Sequence, residues 1–423
     1  MNQHFGTVDW AFGGNIYEVN TRQYTAEGTF AAFGKHLPLL REMGIGILWF
    51  MPVTPIGLAN RKGTLGSYYA CSSYVKVNPE FGSLNDFIVL IKEAHLLGFK
   101  VLIDWVANHT GCDHEWTTQH PDFYKKNEGG NFYDANGWVD VIDLDFENKM
   151  LWDTMVAAMR FWVDECGIDG FRCDMAHLVP LDFWMYARTE LDGRKKLFWL
   201  AETDDMLYHS VFDATYGWEL LHSMERLYKN EQSVWGFVDV LNKYEAALPP
   251  NALRLLFTSN HDENSHSGSE WERLGNGAKA FAVLCATWKN ALPLIYSGQE
   301  LPNTKRLHFF EKDEISWTGN NQLNDFYKTL LHLRTTNAAL KACDEAIETS
   351  ILHVSEPDSI FAFFSKKDAD EVLVILNLSH SACTFNLLKV ESRQTLVEVF
   401  NGEPFSDSEM ILPGWGFKVF STK

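Results

Sequence analysis

The chain has 423 residues, enough for an eight-stranded α/β barrel of about 250 residues with additions. Its 36 Lys and Arg against 56 Asp and Glu give a net charge of -20, which repels a phosphate backbone and excludes nucleic acid as a natural partner. No stretch approaches the about 18 apolar residues of a membrane span and no leader is visible before Asp9, so a soluble, cytoplasmic protein without a membrane partner is expected.

Apolar β-type runs fall at 15–20, 45–51, 100–104, 168–173, 197–201, 210–213, 254–258 and 292–296, with amphipathic stretches between most of them. Eight strand–helix units predict a (β/α)8 TIM barrel of the α/β class. Ser83-Leu84-Asn85-Asp86 opens one predicted helix that ends by Gly98, and another runs from Asp153 to Glu165 until Gly167 stops it. Residues 107–147 are rich in His, Asp, Asn, Gly and aromatics without helical spacing, so a short lid domain is expected after the third strand. Beyond the barrel segments 1–106 and 148–340, residues 341–423 alternate as strands, with 360–364, 372–376 and 384–387 the clearest, and predict a C-terminal antiparallel β-sandwich. Seven cysteines, scattered without Cys-x-x-Cys spacing, imply neither a disulfide framework nor a zinc site.

The chemistry lies where strands end. Leu102-Ile103 lead into Asp104 and Asn108-His109, Gly170-Phe171 into Arg172-Cys173-Asp174, 198–201 into Glu202, and 255–257 into Asn260-His261-Asp262. In a closed barrel the C-terminal strand ends converge on one pocket, so these residues become neighbours. Three carboxylates among basic groups point to cleavage of a glycosidic bond. Strand alternation turns Cys173 away from the side that Arg172 and Asp174 share, which makes it a buried spacer.

Asp104-x-x-x-Asn108-His109, Gly170-Phe171-Arg172-Cys173-Asp174, Glu202 and Asn260-His261-Asp262 resemble, in order and spacing, the four signature segments of the α-amylase family of glycoside hydrolases. Asn15 to Asn20, Met51 to Pro55 and Asp143-Leu144-Asp145 add supporting matches, and the similarity runs from about residue 14 to about residue 340. The resemblance implies a retaining mechanism with Asp174 as nucleophile, Glu202 as general acid and base, and Asp262 as the carboxylate that supports substrate distortion. It further implies substrate binding by Tyr69, His109, Arg172 and His261, with Asp104 a structural support for Arg172. Tyr69 is the stacking tyrosine when the match is anchored on Asn78-Pro79-Glu80-Phe81-Gly82, and Tyr68 competes for that part. Asn108 and Asp143 match oxygen ligands of calcium-dependent members, so Ca²⁺ is a candidate ion although the chemistry requires no cofactor.

Departures from the family pattern leave acceptor-side binding open: His177-Leu178 stand where many members carry Lys-His, Met175 follows the nucleophile, and Ser73 replaces a common Asp. The expected activity is hydrolysis of α-1,4-glucosidic bonds in maltooligosaccharides and starch-derived dextrins, with an α-glucan oligosaccharide as partner. An α-glucosidase or transglycosylase would share the same carboxylates. A non-catalytic carbohydrate-binding or transporter-associated barrel is disfavoured because all three are retained.

Overall fold

A computed structural model of the chain describes residues 5–317, 319, 322–388, 390, 392, 394–406 and 408–422. Strands β1 (Ile16–Val19), β2 (Ile47–Phe50) and β3 (Lys100–Trp105) are followed by a lid hairpin of β4 (His109–Gly111) and β5 (Val141–Asp143). The chain then adds β6 (Gly170–Cys173), β7 (Phe198–Ala201), β8 (Ala214–Tyr216), β9 (Leu253–Leu256) and β10 (Ala291–Tyr296). The barrel strands are parallel and close in the order β1-β2-β3-β6-β7-β8-β9-β10, with β10 paired back onto β1.

Parallel strands covered on both faces read as unbroken apolar runs, and every residue of β2 and β7 is buried. Alternation divides them. Ile47, Trp49, Leu102, Phe198, Leu200 and Leu255 form the barrel interior, whereas Phe50, Ile103, Phe171, Cys173 and Trp199 pack outward against helices. The run at 210–213 is not the sixth strand, which lies at Ala214–Tyr216. Val211 and Phe212 are apolar because they pack outside the barrel, where the Phe212 ring lies 5.5 Å from that of Trp184.

Helix ends follow local chemistry. Ser83 and Asp86 form a reciprocal capping box for the helix Leu84–Leu96, whose buried face is Phe87, Leu90, Ile91 and Ala94. The helix expected from Asp153 starts earlier, at Lys149, because Asn148 accepts the N–H of Met150. It widens into a π-turn at Trp162–Cys166, and Gly167 ends it at φ 74°, a conformation glycine adopts without steric cost.

The lid is little more than the β4–β5 pair, the turn of helix Trp116–Gln119 and loops. The C-terminal region contains β11 (Glu348–Ile351), β12 (Ile360–Lys367), β13 (Asp370–Asn377), β14 (Cys383–Phe385), β15 (Val397–Glu398), β16 (Met410–Leu412) and β17 (Phe417–Ser421). Five of them form an antiparallel sheet in the order β11-β12-β13-β17-β15, and β14 pairs with β16. One face of the sheet sends Phe361 and Phe363 against Trp288 of the barrel. The other packs Phe364 and Ile375 with Phe385 and Leu412 of the β14–β16 ribbon, which is a smaller second layer than a full sandwich would have.

Candidate active site

Adjacent strands β3 and β6 place Asp104 beside Arg172 in register. The guanidinium then organises the rim. Arg172 Nη1 donates to Asp104 Oδ1 at 3.0 Å and to Asp174 Oδ1 at 2.8 Å, and Nε donates to the Tyr216 hydroxyl at 3.0 Å. Nη2 stands 2.8 Å from Glu202 Oε1 as an ion pair without hydrogen-bond alignment. Glu202 Oε2 accepts the backbone N–H of Met175 at 2.8 Å, and Met175 offers that N–H from a left-handed conformation at φ 38°. Two carboxylates fastened to one guanidinium are held side by side.

A second cation balances the other carboxylates. His261 Nδ1 pairs with Glu18 Oε1, while Nε2 lies 2.7 Å from the Tyr69 hydroxyl and 3.3 Å from Asp262 Oδ2. Tyr69 in turn donates to Asp104 Oδ2 at 3.0 Å, which links the two clusters. Burial alone would lower the His261 pKa, but Asp262 and Glu18 outweigh it and push the pKa well above the ordinary value. Both ring nitrogens thus face carboxylate oxygens, an arrangement that favours the protonated imidazole.

The cluster opens into a cleft of about 670 Å³ lined by Tyr69, His109, Asp174, Glu202 and Asp262. That size lies within the about 300–1,000 Å³ of small-molecule sites. Tyr68 is turned elsewhere: its hydroxyl donates to Asn20 and Arg22 stacks on its ring at 4.1 Å. Two residues expected to contact substrate are buried beside the cleft rather than in its wall. Arg172 is 0% exposed and does not line the cleft; its Nε and Nη1 donate to Tyr216, Asp104 and Asp174, and Nη2 faces Glu202. His261, 1% exposed, likewise lies behind the lining, held between Glu18, Tyr69 and Asp262. His109 does line the cleft, its ring 5.5 Å from that of Trp138.

Reading the sequence missed Glu18, which looks like any residue of β1 but faces inward beneath His261. It also missed Lys62, Trp138, Asp140, Asp204, Trp218 and Phe310, all in the cleft wall and all on loops or helix starts without periodic signal. Asp204 carries the Tyr244 hydroxyl at 2.5 Å and Arg254 Nη1 at 3.0 Å.

Proton affinities separate the carboxyls. Burial raises Glu202 to about 7, Arg172 opposes this, and Asp174 and Asp262 add to it. Burial likewise raises Asp174 to about 6, with Arg172 opposing and Asp104 reinforcing. For Asp262, burial also raises, but His261 and Arg172 outweigh it and hold the group down at about 2. Near neutral pH the site can therefore present one protonated acid beside ionised carboxylates, the division of labour that glycosidic cleavage requires.

The residues expected to hold calcium are partly engaged by protein groups, while the buried Asp143 Oδ1 has no hydrogen-bond partner. Asp143 Oδ2 accepts Lys125 Nζ at 3.1 Å and the N–H of Ala135 at 3.2 Å, so an ammonium already neutralises this carboxylate. Asn108 Nδ2 lies 3.3 Å from His109 Nδ1. Ca²⁺ takes about 6–8 oxygen ligands. Among the described residues no group of three or more His, Cys, Asp or Glu is arranged to hold a metal ion.

A closed α/β barrel with paired carboxylates at its C-terminal rim is the scaffold of a carbohydrate-active enzyme. The chain belongs to the alpha-amylase family: "Alpha amylase, catalytic domain" matches residues 17–138 and 123–329. Alpha-amylase 2 of Dictyoglomus thermophilum is 24% identical over 418 residues, covering 91% of this chain and 69% of its own length. Maltogenic alpha-amylase of Bacillus acidopullulyticus is 26% identical over 408 residues, covering 87% and 66%. For alpha-amylase MalA of Haloarcula japonica the match is 26% identical and covers 89% of this chain but 57% of that protein, so the chain spans little more than half of its length. Among solved structures, a maltogenic alpha-amylase from Thermotoga neapolitana superposes with a TM-score of 0.88 at 28% identity, covering 97% of this chain and 99% of its own. An alpha-amylase from Lactobacillus plantarum gives 0.88 at 27%, covering 98% and 100%. Among the described residues no helix is long and apolar enough to cross a membrane.

Proposed function

We propose that the chain is a retaining glycoside hydrolase of α-1,4-glucosidic bonds in maltooligosaccharides and starch-derived dextrins. The observation that carries this reading is the single buried guanidinium shared by Asp104, Asp174 and Glu202 beneath the cleft. Asp174 has Oδ1 tied to Arg172, which leaves Oδ2 to attack the anomeric carbon. Glu202, holding its proton near neutral pH, gives it to the glycosidic oxygen as that bond breaks, and the resulting carboxylate then takes a proton from the water that displaces Asp174. Asp262, ionised and partly open to the cleft, accepts sugar hydroxyls and stabilises developing positive charge, while Tyr69 offers a ring face and His109, its pKa lowered by burial, a neutral imidazole. The names of similar proteins, maltogenic alpha-amylases among them, support α-glucan as the substrate.

A transglycosylase on the same scaffold would share the first half-reaction and replace water by a sugar hydroxyl; maltosyltransferases occur among the relatives. Chromatography of products from maltoheptaose, soluble starch, raw starch, pullulan and isomaltose separates these outcomes. The proposed hydrolase releases short maltooligosaccharides from the first two and leaves isomaltose intact. Oligomers longer than the substrate as the main product would instead favour transfer, and no cleavage of any α-1,4-glucan would contradict both.

A further inference from the structure

The polarity of the cleft follows from the barrel order and from Glu202. A general acid stands at the leaving oxygen, so the reducing-end half of the substrate runs toward the loops after β7 and β8, where Asp204, Asp205 and Trp218 line the wall. The half transferred to Asp174, covered by Tyr69, runs the opposite way, toward the loops after β2, β3 and β10. Those three loops meet. Lys62 from the loop after β2 binds Asp140 of the lid at 2.7 Å, and Lys62 Nζ lies 5.9 Å from the centroid of the Phe310 ring after β10. Both charged residues line the cleft.

From this juxtaposition, and resting on the hydrolase reading above, we propose that the Lys62–Asp140 pair closes the non-reducing-end side of the cleft and restricts the enzyme to chain ends, releasing short products of fixed length. The barrier is built on anchored backbone. Asp113 Oδ2 accepts the N–H groups of Leu58 and Ala59 at 2.8 and 3.1 Å, and Arg61 Nη2 donates to the carbonyl of Ile56 at 2.9 Å. Thr64 N–H donates to Glu311 Oε1 at 2.8 Å, and Leu65 N–H to the Phe310 carbonyl at 3.1 Å. Asp140 is the buried partner, its side chain 5% exposed against 36% for Lys62. A half-exposed ion pair adds little stability. Its effect here comes from the space that it occupies.

The test compares nitrophenyl maltoheptaoside with the same compound blocked at its non-reducing end by an ethylidene group, in the intact chain and in Lys62→Ala, Lys62→Met and Asp140→Ala. The intact enzyme is expected to cleave the blocked substrate at least about tenfold more slowly, and each variant to narrow that ratio and to lengthen the products. Lys62→Met keeps an aliphatic side chain of similar length without the charge, so it reports on the ion pair should the alanine variants fold poorly. Equal rates on both substrates in the intact enzyme, or an unchanged product length in folded variants, would overturn the barrier. Absence of all cleavage would count against the hydrolase reading. The barrier would then be read by calorimetry with maltoheptaose, where tighter binding to Lys62→Met supports it and equal affinity overturns it.

Discussion

Asp174→Asn and Glu202→Gln are each expected to abolish turnover of maltooligosaccharides while leaving the barrel folded. Loss of general acid catalysis alone costs about 10²–10⁴-fold in rate, and loss of the nucleophile removes the first displacement altogether. Each change is nearly isosteric: Asp174→Asn takes a negative charge out of a crowded rim, Glu202→Gln replaces a carboxyl that is protonated near neutral pH, and Arg172 keeps its contacts with Asp104. The pH dependence follows the two affinities. Activity of the intact enzyme should fall below about 6 as Asp174 gains a proton and above about 7 as Glu202 loses one. Both carboxyls lie above their ordinary folded-free values, so their contribution to stability is fully present at low pH and is lost as pH rises through about 6 to about 7. The amide variants lack that loss. Their unfolding midpoint relative to the intact chain should therefore be higher at pH 8 than at pH 4. Near-normal turnover in folded Glu202→Gln would reject the acid, and full activity in Asp174→Asn would reject the nucleophile.

Arg172→Ala should be the most damaging single change to the fold of the rim. The side chain is 0% exposed, and its removal leaves Asp104, Asp174 and Glu202 without their common cation. Breaking a buried ion pair from one side costs about 3–5 kcal/mol. Three stranded carboxylates repel one another only when ionised, so the destabilisation should be larger at pH 8 than at pH 5. Arg172→Lys would keep a charge but not the planar fork that spans two carboxylates, so activity should remain low even where stability partly returns. Denaturant unfolding at the two pH values checks this. A midpoint unchanged by Arg172→Ala would show that the guanidinium is not what holds the rim together.

The barrel was legible because parallel strands buried on both faces are continuous apolar runs, and because chemistry gathers just beyond them. Depth was not legible. Arg172 on β6 and Asp174 just past its end point the same way, but two residues of extended chain amount to about 6–7 Å, enough to put one beneath the cleft and the other in its wall. The same limit applies to His261, whose neighbour Asp262 reaches the cleft while the imidazole ring stays behind it. Apolar content also misled at Val211 and Phe212, since packing outside the barrel looks like strand pairing in a one-dimensional pattern. Lys62, Asp140 and Phe310 lie far apart on irregular loops, and only the closed order of the strands brings them together.

Double displacement by Asp174 and then by water inverts the anomeric carbon twice. Proton NMR during the first minutes of maltoheptaose hydrolysis, before mutarotation mixes the anomers, tests this directly. The α-anomer should appear first at the newly formed reducing end; initial release of the β-anomer would contradict a covalent intermediate on Asp174.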